Sequence, residues 1–340
     1  MRIYSRGDQG PEVLDIQQRL SALAISIDPG ELPGRFGPST EAAVRAFQAQ
    51  RSLRVDGLVG PDTWGQLVEA GFRLGDRTLY LHAPMHRGDD VRDLQRKLNA
   101  LGFDAGKEDG LFGPRTEGAV REFQRNVGEQ ADGMVGLRAL SVLERMRPLE
   151  GAPSRALVRE REQVRHMNMP IDGQVIAIDP GEGSACLAIA QALAGELENA
   201  GAKAVLLSDG GDDPAWSERA RNANEMGAAV CVSLVLQDGG DKGAEVPACS
   251  YFGIGRTHSP AGMRLAGLIL DELEAAVGHR GRMKASSTTL VRETRMPAVS
   301  VQPLPAGVRE TLDQVTAERV GVAVAAGVRR FFREPEQREP

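Results

Sequence analysis

The chain has 340 residues, of which 41% are hydrophobic and 26% charged, and its net charge is −6. That length suits roughly two or three domains, each able to bury a core, and the composition is that of an ordinary globular protein. The modest, dispersed negative charge excludes a nucleic-acid binder, and the three cysteines, Cys186, Cys231 and Cys249, supply neither a CxxC knuckle nor a disulfide framework.

The N-terminus has no apolar signal core and runs straight into a charged helical pattern, so a cytoplasmic protein is expected. No segment has the length and unbroken apolarity of a membrane span, so any membrane association is expected to go through partners. Next comes an internal duplication, with residues 10–67 recurring as 88–143. Val13, Ile16, Leu20 and Leu23 in the first copy keep the spacing of Val91, Leu94, Leu98 and Leu101 in the second, one apolar helical stripe each. A second helix is predicted from Pro38 and from Pro114, since proline is tolerated in a helix's first turn. A third, shorter helix places Trp64 and Leu67 opposite Leu140 and Leu143.

In the second copy Asp109, Gly110, Phe112, Gly113, Thr116, Ala119, Val120, Phe123 and Gln124 stand at fixed spacing, and the first copy departs by having Pro33 at the first position. These residues resemble the peptidoglycan-binding domain 1 family, which implies two three-helix modules. The ligand stays open between two readings. In one, the repeats are packing modules that bind protein or nothing. In the other, Ser39, Thr40, Phe112, Arg115 and Thr116, beside the Gly-Pro turns, meet a glycan, although Arg115 and Thr116 equally suit a solvated helix cap.

Residues 147–172 are Pro-bounded and charged, which predicts a linker with one short surface helix and a solvent-facing His166. Beyond it, apolar runs at 175–178, 204–207, 229–236 and 298–301 read as buried strands. They are separated by helical patterns at 185–200, 215–226, 260–277 and 309–332. That rhythm predicts an α/β domain with a mostly parallel, doubly wound sheet. The expected organisation is a repeat at 1–74, a repeat at 75–149, a linker at 150–171, the α/β domain at 172–333 and a tail at 334–340.

Gly181-Glu182-Gly183 after the first strand is a poor phosphate loop, because Glu182 puts a negative charge where an anion would sit. The strand with Asp179, Pro180, Gly181, Glu182 and Gly183, the helix with Arg219, Ala223 and Asn224, Val232-Ser233, Gly243-Ala244-Glu245 and the strand 297–303 occur in an order that resembles the zinc amidases of the amidase 3 family. Those enzymes cut between N-acetylmuramic acid and the peptide stem. The resemblance implies a zinc held by His, Glu and His with a second, catalytic Glu, and it makes Arg219 and Asn224 candidate contacts for a partner or glycan. At those positions this chain has Glu182 for the first His, Val235 between Leu234 and Leu236, and Gln302, and the loop that would carry the Glu ligand is missing. In another register Glu182 stands at the Glu position and the first His is lost with the loop, and either way one ligand-capable residue is left there instead of two. The expectation is therefore a pseudoamidase, with no zinc, no cofactor and no catalytic residue. His258 and His279 stand at opposite ends of one predicted helix, and Asp209, Asp212 and Asp213 read as a solvated turn.

Two such repeats ahead of such a domain resemble an actinobacterial group with a degenerate amidase. That likeness implies regulation of peptidoglycan precursor synthesis by protein binding, with UDP-N-acetylglucosamine enolpyruvyl transferase and the lipid II flippase complex as partners. No Ser or Thr follows Thr316, so control by tail phosphorylation is not expected. Two alternatives remain: an N-acetylmuramoyl-L-alanine amidase with an altered metal site, and a sensor of muropeptide or peptidoglycan precursor.

Overall fold

The computed structural model describes residues 2–146, 170–209, 214–236, 247–254, 257–304 and 313–334. It forms two compact units, Met1–Arg159 and Glu160–Pro340. Most of the expected linker, with its helix and His166, lies outside the described residues, as do Asp212, Asp213 and Gly243-Ala244-Glu245.

The described residues of the first unit form helices joined by turns and a few isolated β-bridges. Repeat one contains α1 (Pro11–Ala22), α2 (Pro38–Gln50) and α3 (Pro61–Glu69), and repeat two contains α4 (Asp89–Ala100), α5 (Pro114–Asn126) and α6 (Leu137–Arg145). The apolar stripes do what their spacing predicts. Val13, Ile16 and Leu20 close over Phe36, Val44 and Phe47, while Val91, Leu94 and Leu98 close over Phe112, Val120 and Phe123. Each such buried side chain contributes roughly 1.5–3 kcal/mol by leaving water.

The polar residues of the repeated motif hold its turns. Gln95 accepts from the Gly110 amide at 2.9 Å and donates to Asp109 and to the Leu111 carbonyl. Gln124 repeats the arrangement with Gly133, Asp132 and the Met134 carbonyl, and Gln48 with Gly57, Asp56 and the Leu58 carbonyl. Where Pro33 replaces the first aspartate, Gln17 lacks only that partner: it accepts from the Gly34 amide and donates to the Arg35 carbonyl and the Thr40 hydroxyl, as Gln95 does to the Leu111 carbonyl and the Thr116 hydroxyl. The repeats are tied by Arg51, whose guanidinium donates to both Asp89 carboxylate oxygens at 2.7 and 2.6 Å. Along the connection Leu79 is fully buried, and Arg77 pairs with Asp90 while lying over the Phe72 ring.

Among its described residues the second unit carries seven strands: β1 (Val175–Asp179), β2 (Lys203–Leu206), β3 (Val230–Leu234), β4 (Ala248–Ile254), β5 (Thr257–His258), β6 (Arg282–Ser286) and β7 (Ala298–Gln302). The sheet runs β2-β1-β3-β7-β4, with β5 and β6 both paired to β4. β2, β1, β3 and β7 are parallel neighbours, as expected, whereas β4 runs antiparallel to β7 and so makes the sheet mixed.

Among the described residues five helices accompany the strands: α7 (Ser184–Asn199), α8 (Trp216–Glu225), α9 (Pro260–Val277), α10 (Thr289–Glu293) and α11 (Gln314–Arg333). Strand alternation sends Ile176, Ile178, Val232 and Val299 to one face, against α7, α9 and α11. Ala177, Cys231 and Ala298 point to the other, against α8 and α10. On α11, Gly327 sits so near α9 that a Cβ there would lie 2.5 Å from the Ile269 Cα, so only glycine permits this crossing. No helix among the described residues is long and apolar enough to cross a membrane.

Candidate functional site

β1, β3 and β7 are adjacent and parallel, so their carboxyl ends open on one edge of the sheet, where ligands of open α/β folds gather. The sequence delivers Glu182, Val235 and Gln302 to that edge, each just past or at the end of one of these strands.

Beneath them lies a charged knot. Asp179 ends β1 fully buried, and its carboxylate accepts from Arg219 Nη1 at 2.6 Å and from Ser233 Oγ at 2.6 Å. Ser233 is its register partner on β3. Arg219, from α8, is itself buried, donates through Nε to the Pro214 carbonyl at 2.9 Å and lies 4.6 Å from the Trp216 ring centre. A buried carboxylate is tolerable only when paired and hydrogen-bonded in this way. Gly181 then turns the chain at φ +67°, with its α-carbon so near the Leu234 carbonyl that a Cβ would overlap it. Asp179, Pro180 and Gly181 therefore fix the turn and leave Glu182 exposed beyond it.

Arg219 and Asn224 are thus structural members. Asn224 donates to the Glu293 carbonyl at 2.9 Å and accepts from the Arg295 amide at 2.7 Å, clamping α8 to the end of α10. Val235 is half-buried between buried Leu234 and Leu236, with its amide on the Val301 carbonyl, so it lines the edge instead of vanishing into the core. Gln302 is 8% exposed, and its buried Nε2 has no hydrogen-bond partner. An unsatisfied buried donor is uncommon and marks a place where a ligand oxygen would be welcome. Sequence reasoning had no signal for this orphan; the Asp179–Ser233 pair was legible only once the strand register was known.

In the repeats, Thr40, Phe112 and Thr116 are buried, which corrects their candidacy as glycan contacts. Phe112 is core, Thr40 receives Gln17 at 2.9 Å and Thr116 receives Gln95 at 3.2 Å. Ser39 is half-exposed and accepts from the Asp28 amide, while Arg115 stands exposed on the first turn of α5.

A zinc of the amidase type needs three N, O or S ligands around one open position. At the strand ends, the ligand positions hold Glu182, which offers a carboxylate, and Val235, which offers nothing, while Gln302 puts a neutral amide where the catalytic Glu would stand. Among the described residues no three His, Cys, Asp or Glu side chains gather to hold a metal. The residues at these three positions do not fit that ion.

Residues 9–67 and 87–143 match the putative peptidoglycan binding domain family, and residues 173–328 match the N-acetylmuramoyl-L-alanine amidase family. The chain is 36% identical over 327 residues to N-acetylmuramoyl-L-alanine amidase CwlM of Mycobacterium tuberculosis, covering 87% of this chain and 80% of that one. It is 33% identical over 154 residues to N-acetylmuramoyl-L-alanine amidase CwlL of Bacillus licheniformis, covering 39% of this chain and 43% of that one. Among solved structures, the amidase Ami1 of Mycobacterium smegmatis superposes with a TM-score of 0.43 at 17% identity, over 48% of this chain and 99% of that one.

These findings overturn the expectation of a non-enzyme. The relatives are named as amidases. With a likeness of that strength running through both repeats and the α/β domain, the chain belongs to the N-acetylmuramoyl-L-alanine amidase family.

Proposed function

We propose that the protein acts on peptidoglycan or its muropeptides as an N-acetylmuramoyl-L-alanine amidase with an altered metal site. The reading is carried by the 36% identity to a protein of that name over 87% of the chain. The strand-end edge supports it. There the buried Gln302 Nε2 has a hydrogen to give, and the carbonyl oxygen of a muramyl-peptide amide is a suitable acceptor. The alteration is that Val235 brings no metal ligand and Gln302 puts a neutral amide where the family's catalytic Glu would stand, so the family's zinc site is not assembled here in its usual form.

The test is incubation of the full chain with purified muramyl-peptides across a series of added divalent ions, with release of the free peptide followed by mass spectrometry. Release that weakens in Gln302→Leu is expected. No release under any condition overturns the reading.

A second reading adds regulation to this activity: binding of the enolpyruvyl transferase or the lipid II flippase complex of precursor synthesis. Leu137, 80% exposed at the start of α6, is an apolar side chain on the surface of repeat two at which this reading can be probed. Purified transferase retained on the immobilised chain, and lost with Leu137→Asp, is the expected result; equal retention by both forms refutes it.

A further inference from the structure

The strap of chain between the repeats carries a feature that the amidase reading does not use. Residues 79–87 are pinned at both ends against repeat two, Leu79 to Val135 and Arg87 to Leu111, and the Phe112 amide donates to the His86 carbonyl at 3.0 Å. Between the pins, three rings gather. The imidazoles of His82 and His86 lie 4.0 Å apart, centre to centre, at 81°, and Tyr80 lies 5.1 Å from the first and 5.2 Å from the second.

Both Nε2 atoms are shut off from water, and neither has a hydrogen-bond partner. Two neighbouring imidazoles can resolve this by donating N–H to N, and here they do not. With hydrogens on Nδ1, each ring keeps a buried Nε2 lone pair with nothing to meet it. A proton is a poor occupant. Burial, then the neighbouring His82 and the Arg77 cation, hold the His86 imidazole below its usual range, against a smaller upward pull from Asp90. A neutral imidazole is, however, the form that a transition metal requires, and the Arg77 charge is already met by Asp90 at 2.7 Å.

We propose that His82 and His86 form a two-histidine site for a borderline divalent transition metal, bound through both Nε2 atoms, with the remaining positions left to water or an incoming ligand. From ring centres 4.0 Å apart, the two nitrogens reach one ion at about 2.0–2.1 Å in tetrahedral geometry once the rings turn and separate by about 1 Å. The site lies in the repeat unit and involves none of Glu182, Val235 or Gln302, so it stands whether or not the amidase reading does.

The test titrates Cu²⁺ and, separately, Zn²⁺ into the tag-free full chain, following heat and the imidazole resonances of its five histidines. The expected result is one equivalent bound per chain, with the His82 and His86 resonances moved or broadened and those of His258 and His279 in place. Cu²⁺ should bind more tightly than Zn²⁺. His82→Gln and His86→Gln should each weaken binding roughly tenfold or more while melting normally in chelator, since each removes one of two ligands. Should either variant fail to fold, the wild-type resonances and a loss of affinity on acidification from pH 7.5 to about 5.5 decide the matter. Absence of saturable binding, binding that leaves both resonances untouched, or wild-type affinity in both variants overturns the proposal.

Discussion

Arg219→Met is the perturbation that probes the second unit most sharply. The wild-type guanidinium meets Asp179 at 2.6 Å with the two side chains 3% and 0% exposed, so water cannot replace it once it is gone. Methionine leaves the Asp179 carboxylate buried with only the Ser233 hydroxyl at 2.6 Å and the Gly181 amide at 3.4 Å. Breaking one side of such a pair costs about 3–5 kcal/mol. Loss of the bond to the Pro214 carbonyl and of the contact with Trp216 adds about 1 kcal/mol or somewhat more. Against a typical domain stability of about 5–15 kcal/mol, the second unit should be left marginal.

Urea unfolding followed by Trp216 fluorescence in a Trp64→Phe background isolates the second unit, because the chain has two tryptophans. The double variant Asp179→Leu with Arg219→Met removes both charges and should lose clearly less than the sum of the two single changes. A loss below about 1 kcal/mol for Arg219→Met, or full additivity in the double variant, would refute the account of a coupled buried pair.

Three further outcomes are expected. In repeat one, burial pushes the Glu31 carboxyl up, but the Thr40 hydroxyl and the Ser39, Thr40 and Gly37 amides outweigh it and hold the group below its usual 4.5. Its contribution to stability is therefore present above that value and is lost as pH falls through the lower folded value. Glu31→Gln should flatten the acid limb of the repeat unit's melting curve, and an unchanged limb counts against the assignment. Gly181→Ala must force a Cβ into the Leu234 carbonyl at positive φ and should cost several kcal/mol, about 1–3 of it from the backbone alone, as measured by thermal unfolding. Phe123→Asp places a charge in a site 1% exposed and edge-on to Phe103, so repeat two should fail to fold by circular dichroism, and a native spectrum would contradict this.

The elements legible in the sequence were those whose burial imposes a period. Val13, Ile16 and Leu20 announce α1, and the predicted bounds of α9 match the structure. β6, by contrast, is Arg-Met-Lys-Ala-Ser, with four of its five residues exposed, so no apolar run marks it. α10 has five residues, too few to show a period, and β4 mixes small, polar and aromatic residues. At the site, the motif residues were visible but their direction was not. Arg219 and Asn224 looked available because they are polar, and the structure uses both inwardly, since their partners Asp179 and Glu293 lie 40 and 69 residues away. The orphaned Gln302 amide is a property of packing and leaves no trace in sequence.

The glutamine clamps of the repeats bear on how such modules come to be copied. Each clamp closes with a glycine amide, a carbonyl and, in three of the four, an aspartate from the same repeat, so no clamp needs a neighbour to complete it. A segment of this kind can be duplicated in a gene without stranding these polar groups, and its signature is preserved by folding alone. Divergence is then free to proceed at positions outside the signature, such as the pair Ser39 and Arg115, where the two copies already differ in charge.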